Sequence, residues 1–160
     1  VLQDYTSEST EIDEATYKKV HHAMTKAGIA IYRTGESYKV LVPHSILFNN
    51  NSSNFNPHAK KIINLVKKWL SFYAINEVHY TAMYLPEDLG GISKKAIARK
   101  QTTTLANEIS KEKPLANVET INTEAYVKSK HLPFWQNMRL ILKSKSPSNS
   151  ASIIEFTYNR

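Results

Sequence analysis

The sequence predicts an α/β protein, an α+β sandwich in which helices pack on one face of a mixed β-sheet. Segments whose apolar residues recur with the period of an α-helix alternate along the chain with segments whose apolar residues recur at every second position. Of the 160 residues 41% are hydrophobic, which is enough to close one core and too many for a disordered chain. The longest apolar run is short, so no membrane-crossing helix is expected.

The N-terminal segment, residues 1–27, is expected to form an arm and a helix. Residues 1–9 are polar and show no periodicity, which is typical of an arm. Thr10 begins a helix signal, because acidic residues fill the turn that follows and the helix dipole favours negative charge there. Gly28 follows the last periodic residue, where glycine commonly ends a helix.

A β-hairpin and an amphipathic helix come next. Segments 28–33 and 37–43 alternate on either side of a turn, and the second should end near Pro43 because proline cannot donate to a ladder. A polar loop precedes a helix from Pro57 to about Tyr73, which Asn56 can cap. Its lysines lie opposite an apolar stripe formed by Ile62, Ile63, Leu65, Val66, Trp69, Leu70 and Tyr73.

The rest of the chain supplies one helix and four strands. The helix signal spans residues 93–110, and the β-branched threonines within it weaken helix propensity without forbidding the helix. A linker rich in Ser, Pro and Asn begins at residue 144. The strand signals cover residues 77–85, 117–123, 138–143 and 152–158.

The sequence offers no recognisable catalytic or metal-binding motif. It has no cysteine and only four glycines, so a Cys-ligated metal and a phosphate-cradling loop are both excluded. None of its six histidines has metalloprotease spacing, and we expect them to be exposed or half-packed. Glu87-Asp88, the one tempting acid pair, lies in a Pro/Gly loop where a solvated role is favoured. The sequence therefore predicts no enzyme, no metal and no cofactor.

The chain is basic, with 21 Lys and Arg against 14 Asp and Glu, a formal charge of +7. Such a charge fits nucleic acid, an anionic membrane surface or an acidic polymer as partner, and it also fits a basic surface without a partner. Binding to nucleic acid usually needs aromatic rings exposed among the cations. Here Trp69 and Tyr73 belong to the apolar stripe, so we do not expect nucleic acid and keep it as an alternative.

The run YKVLVPHSILFNNNSSNFNPHAKKIINLVKKWL, residues 38–70, resembles the opening of the OmpA-like peptidoglycan-associated domain. In that family a strand ending in Leu-Pro is followed by a phenylalanine, a polar loop and an amphipathic helix. The residues that match in order and spacing are Val42-Pro43, Phe48, Asn56-Pro57 and Ala59.

The later elements extend the resemblance to residues 28–143. Residues 97–109 fit the family's second helix apolar for apolar, and Asn137-Met138-Arg139 echoes the start of a late strand. The resemblance implies an OmpA-like mixed sheet with helices on one face. The N-terminal helix is an addition to it, and residues 144–160 add a linker and an extra C-terminal strand.

The family's ligand-binding charges are replaced in this sequence. The resemblance implies that an Asp and an Arg hold the zwitterionic end of the diaminopimelate side chain of peptidoglycan. The matching positions here are Leu85 and Gln101, neither of which is charged. We therefore expect a degenerate peptidoglycan groove, made of Tyr84, Leu85, Ala98, Gln101, Asn137 and Arg139.

The resemblance implies a role in the cell envelope. We expect a periplasmic structural module of an outer-membrane secretion-system core complex, of the type IVB (Dot/Icm-like) kind. Its partners would be other subunits of that complex and, weakly, peptidoglycan. The resemblance also implies a lipid anchor that attaches the chain to the inner face of the outer membrane. Because the chain begins with Val1 and not Met, we expect that it has been trimmed and that such an anchor would lie upstream. The alternative is genuine peptidoglycan binding through substitute residues such as Tyr84, Arg99 and Arg139.

Overall fold

The computed structural model describes residues 2–49, 51–73, 75–84, 94–110, 119–122 and 150–158. The expected strand at 138–143 and most of the linker after it lie outside these residues. The described elements are α1 (Leu2–Lys26), β1 (Ala30–Thr34), β2 (Ser37–Pro43), α2 (Ala59–Leu70), β3 (Ile75–Tyr84), α3 (Lys94–Ile109), β4 (Glu119–Asn122) and β5 (Ser150–Tyr158).

The first helix begins earlier than expected. Residues 2–9, which we expected to form an arm, are the first part of α1. They contain no Pro or Gly, so once the helix has nucleated further along the chain, each added residue costs little. The other end agrees with the prediction, since Gly28 follows the helix with a φ of +104°, a conformation that L side chains rarely adopt.

The described strands form one mixed sheet in the order β1-β2-β5-β3-β4. The hairpin of β1 and β2 is antiparallel as predicted, β5 is antiparallel to both β2 and β3, and β4 is parallel to β3. All three helices contribute side chains to one core on the same face of this sheet. The predicted fold class is thereby confirmed.

The C-terminal strand exists but is not peripheral. β5 lies in the middle of the sheet, between β2 and β3. Its residues are buried on both faces: Ile154 and Phe156 in the core below the helices, and Ala151 and Ile153 on the opposite face. A strand that is apolar on both faces belongs at the centre of a sheet, where neighbours cover it on both sides.

α2 is the most strongly amphipathic helix of the fold, as its sequence predicts. Ile63, Val66 and Trp69 are buried, whereas its lysines face outward except for the half-buried Lys67. The Trp69 ring meets Tyr38 edge to face, with 5.2 Å between ring centroids, and it packs on Phe156 of the central strand at 5.5 Å. These contacts fasten the helix to the sheet.

The face of the sheet away from the helices also carries buried apolar side chains, among them Leu41, Met83 and Ile153. Beside them Lys39 Nζ lies 3.3 Å from Glu155 Oε2, so the lysine charge is paired although its side chain is largely buried. No described helix is long and apolar enough to cross a membrane.

Candidate functional site

A buried histidine lies where β2 ends. Pro43 closes the strand, and the chain turns at once into a single 3-10 turn, His44–Ile46. The His44 side chain enters the space between α3 and β5, where it is only 2% exposed, and its ring meets Phe48 edge to face. An imidazole in this position needs hydrogen-bond partners, because a buried polar group without them costs about 1–3 kcal/mol.

Three hydroxyls supply those partners. His44 Nδ1 lies 2.7 Å from Ser150 Oγ, and Nε2 lies 2.7 Å from Ser152 Oγ and 3.2 Å from Thr102 Oγ1. The hydroxyls of Thr102 and Ser152 are themselves 2.7 Å apart. We call this set, together with Gln101, the buried polar cluster. It joins the end of β2 to the middle of α3 and the start of β5.

Both ring nitrogens of His44 have a serine hydroxyl at 2.7 Å, and a neutral ring donates at one nitrogen and accepts at the other. The Ser150 hydroxyl also lies 3.5 Å from Gln101 Oε1. Burial also lowers the pKa of His44 from 6.5 to about 3, so the ring is neutral near neutral pH.

Gln101 continues the chain of hydrogen bonds to the polar loop after β2. Its Nε2 donates to the Ser52 carbonyl at 2.8 Å, and the residue is 4% exposed. The same loop is closed at its base by a β-bridge between Phe48 and Phe55, whose rings stack with centroids 5.0 Å apart. Gln101 is thus a tether that holds the loop against α3.

The buried position of Ser152 does not suit nucleophilic catalysis. Ser152 and His44 are at the distance of a nucleophile and its base, but Ser152 is completely buried, so no substrate reaches its hydroxyl in this conformation. Ser150, the other serine beside His44, is half-buried. Within the described residues, no group of three or more His, Cys, Asp or Glu side chains is placed to hold a metal ion. The cluster joins the backbone of three elements by hydrogen bonds.

No protein-family model matches the chain, and no curated protein matches it. Solved structures do match. The cell wall anchor of the T6SS from Pseudomonas aeruginosa superposes with a TM-score of 0.60 at 9% identity, covering 88% of this chain and 94% of that one. The fold is OmpA-like.

Two MotB structures agree with this assignment. The periplasmic domain of Helicobacter pylori MotB has a TM-score of 0.55 at 11% identity, with 83% of this chain and 81% of that one covered. A putative MotB-like protein from Desulfovibrio vulgaris has a TM-score of 0.55 at 10% identity, with 98% and 97% covered. At such identities the likeness establishes the fold alone.

The OmpA-like fold brings three of the six predicted groove residues to one end of the sheet. Tyr84, half-buried, is the last residue of β3 and pairs with Ser150, whose hydroxyl reaches Gln101. Ala98, one helical turn before Gln101, is completely buried. The other three, Leu85, Asn137 and Arg139, lie outside the described residues.

Among the five histidines that the structure describes, the expectation was wrong at one position. His131 lies outside the described residues. His22, His58 and His79 are exposed and His21 is half-buried, as expected, whereas His44 is in the interior. A signal for this was available. Ser150 and Ser152 alternate on the face of β5 that continues with Ile154 and Phe156, and polar residues in a core-facing register need a buried partner.

Proposed function

We propose that this chain is a non-enzymatic structural module of the bacterial periplasm whose OmpA-like cleft has lost the chemistry for binding diaminopimelate. The solved structures with this fold include a cell wall anchor and the periplasmic domain of MotB, which supports a place in the cell envelope. The hydrogen bonds of the buried polar cluster, which join β2, α3 and β5, support a structural role.

The observation that carries the proposal is the inward position of Gln101. The family places an arginine here, which forks onto a ligand carboxylate. In this chain the Gln101 amide is 4% exposed and uses its nitrogen on the Ser52 carbonyl. The site therefore lacks one charge-assisted bond and has its remaining polar group engaged by the protein itself. A charge-assisted bond is worth about 1.5–3 kcal/mol, so loss of the family's Asp and Arg together lowers affinity by on the order of 10²–10⁴.

A substitute arginine does not lie on the same side of α3. Arg99 is exposed, two residues before the buried Gln101, and two residues turn a helix by about 200°. Genuine peptidoglycan binding through Tyr84, Arg99 and Arg139 is therefore the weaker candidate. Titration with a diaminopimelate-containing peptide separates the two, since an affinity in the micromolar range would favour the substitute residues.

Within this proposal the partners are other subunits of an envelope secretion complex near the outer membrane. A type IVB, Dot/Icm-like core complex is the specific machine that we propose, with the chain in the place of its small DotK lipoprotein. That finer assignment rests on the sequence resemblance, and the structures named above belong to other machines.

Co-sedimentation with purified peptidoglycan sacculi tests the proposal. The natural chain should remain in the supernatant, whereas Leu85→Asp combined with Gln101→Arg should move toward the pellet. Arg99→Gln is the matched control, because it removes an exposed charge from the same helix without touching Gln101. Strong sedimentation of the natural chain, lost in Arg99→Gln and unchanged in the double variant, would contradict the proposal.

A further inference from the structure

The three helices present a common outer surface that is strongly basic. α2 contacts both α1 and α3, and all three bury their apolar sides against the same face of the sheet. The outward side of α2 carries the exposed Lys60, Lys61 and Lys68, and the half-buried Lys67 lies 4.0 Å from Glu108 of α3. α1, from Glu14 onward, and the described part of α3 each add three exposed cations. We call these ten side chains the basic helix surface.

Two acids accompany these ten cations among the helix side chains that the structure describes, Glu14 and Glu108. Glu14 lies 3.7 Å from Lys18, and Glu108 lies 4.0 Å from Lys67. The first half of α1 adds four acids to the sequence of that helix, Asp4, Glu8, Glu11 and Asp13. The cations therefore outnumber the acids over the second half of α1, over α2 and over the described part of α3.

The composition of the surface distinguishes between anionic partners. Nine of the ten cations are lysines and one is Arg99. Arginine is suited to bidentate hydrogen bonding with a carboxylate or a phosphate, whereas lysine acts as a point charge on a flexible side chain. Lysine is also depleted in protein–protein interfaces, which use aromatic anchors in their centres. The bulky rings in α2 and just after it do not serve this purpose, because Trp69 is buried and Phe72 and Tyr73 are half-buried.

We propose that the basic helix surface docks on the anionic headgroups of a phospholipid bilayer. A bilayer offers many phosphates in a plane and demands no specific geometry, so it suits lysines distributed over three helices. Single-stranded nucleic acid would need exposed rings for stacking, and reading of bases relies on arginine, asparagine or glutamine. The inference rests on charge placement and stands whether or not the cleft binds peptidoglycan.

Vesicle co-sedimentation of the intact chain tests the inference. The probe is a vesicle of phosphatidylcholine with about 30% phosphatidylglycerol, compared with phosphatidylcholine alone, at an ionic strength of about 0.05 M and again at about 0.3 M. The chain should bind the anionic vesicles at low salt, release them at high salt, and ignore the neutral vesicles.

Substitutions on α2 locate the contact. The triple variant Lys60→Gln, Lys61→Gln and Lys68→Gln should lower the partition constant by on the order of 100-fold. Glutamine has a helix propensity close to that of lysine, so the fold should survive, and circular dichroism checks this. The matched control replaces the same three lysines with arginine, which keeps the charge and should keep the binding.

Four results would overturn the inference: no binding to anionic vesicles at low salt, equal binding to neutral vesicles, an unchanged partition constant in the folded glutamine variant, or loss of binding in the arginine control. Duplex DNA is the competitor. Tighter binding to DNA than to vesicles, at equal phosphate and salt, would reassign the surface to nucleic acid.

Discussion

Replacement of His44 should remove a defined part of the pH dependence of folding stability. Burial lowers the pKa of His44 from 6.5 to about 3 in the folded chain. Because the folded-state pKa is the lower one, the unfolded chain takes up the proton first as the pH falls. The stability that neutral His44 contributes is therefore fully present above about pH 6.5, is lost progressively below it, and stops changing below about pH 3.

The size of the effect follows from the two pKa values. Between about pH 7.5 and pH 5 the unfolded chain gains nearly one proton at this position while the folded chain gains almost none, which costs about 2 kcal/mol of folding free energy. For a chain of this length, that corresponds to a decrease in Tm of about 4–8 °C. The loss arises in the buried polar cluster, because a neutral ring keeps one nitrogen as an acceptor for the hydroxyls around it and a protonated ring has none.

Urea unfolding of the natural chain and of His44→Gln, each at about pH 7.5 and about pH 5, measures this loss of folding free energy. The variant should be less stable at the higher pH, because glutamine cannot reproduce both ring contacts, but its loss of stability between the two pH values should be smaller by about 2 kcal/mol. His22→Gln is the matched control at an exposed position and should keep the full pH dependence. An equal pH-dependent loss in His44→Gln and the natural chain would refute the reasoning.

Three further substitutions, one of them with a control, probe other parts of the structure. Gly28→Ala should lower the free energy of unfolding in urea by about 1–3 kcal/mol, because the φ of +104° strains an L residue although nothing obstructs the added Cβ. Its control, Gly35→Asn, should cost less, because asparagine tolerates the φ of +64° at that position, and equal costs would refute the reasoning. Trp69→Ala should cost about 3–5 kcal/mol, and a cost below about 1 kcal/mol would show that the helix–sheet contact is not tightly packed. Gln101→Leu leaves the Ser52 carbonyl without its donor and should speed amide hydrogen exchange in the loop, and unchanged exchange would show that the loop does not need the tether.

The periodicity of the sequence was sufficient to predict the elements that bury one apolar side. α2 and the β1–β2 hairpin follow from local patterns, because one side of each is apolar and the turn and cap residues mark their ends. The predicted ends of α2 were less accurate. The helix runs from Ala59 to Leu70 and not from Pro57 to Tyr73, and its N-cap is His58, without a side-chain cap bond. Asn56 Oδ1 accepts from the His58 backbone N–H at 2.9 Å in the turn before the helix. The three consecutive threonines of α3 are also tolerated as expected. Thr103 and Thr104 donate to carbonyls one turn back, whereas Thr102 joins the cluster.

Long-range placement was not predictable in the same way. The position of β5 depends on which strands it pairs with, and β2 lies more than 100 residues before it in the chain. The contacts of His44 with Ser150 and Ser152 span 106 and 108 residues, so no local pattern reports them. The expected groove also depends on a contact between residues distant in the sequence. The sequence places Gln101 on a helix but does not show that its amide donates to the Ser52 carbonyl.

Under the proposed function, the replacement of the arginine and the inward bonds of Gln101 lower ligand affinity together. A cleft that had only lost its arginine would leave its other polar groups available to a ligand. Gln101 instead donates to the Ser52 carbonyl and accepts from the Ser150 hydroxyl, so a ligand at this position must first break contacts of the folded chain. Each polar group left buried without a partner costs about 1–3 kcal/mol, which on this proposal adds to the missing charge-assisted bonds. This is why we expect the domain to act through its outer surfaces and not through its cleft.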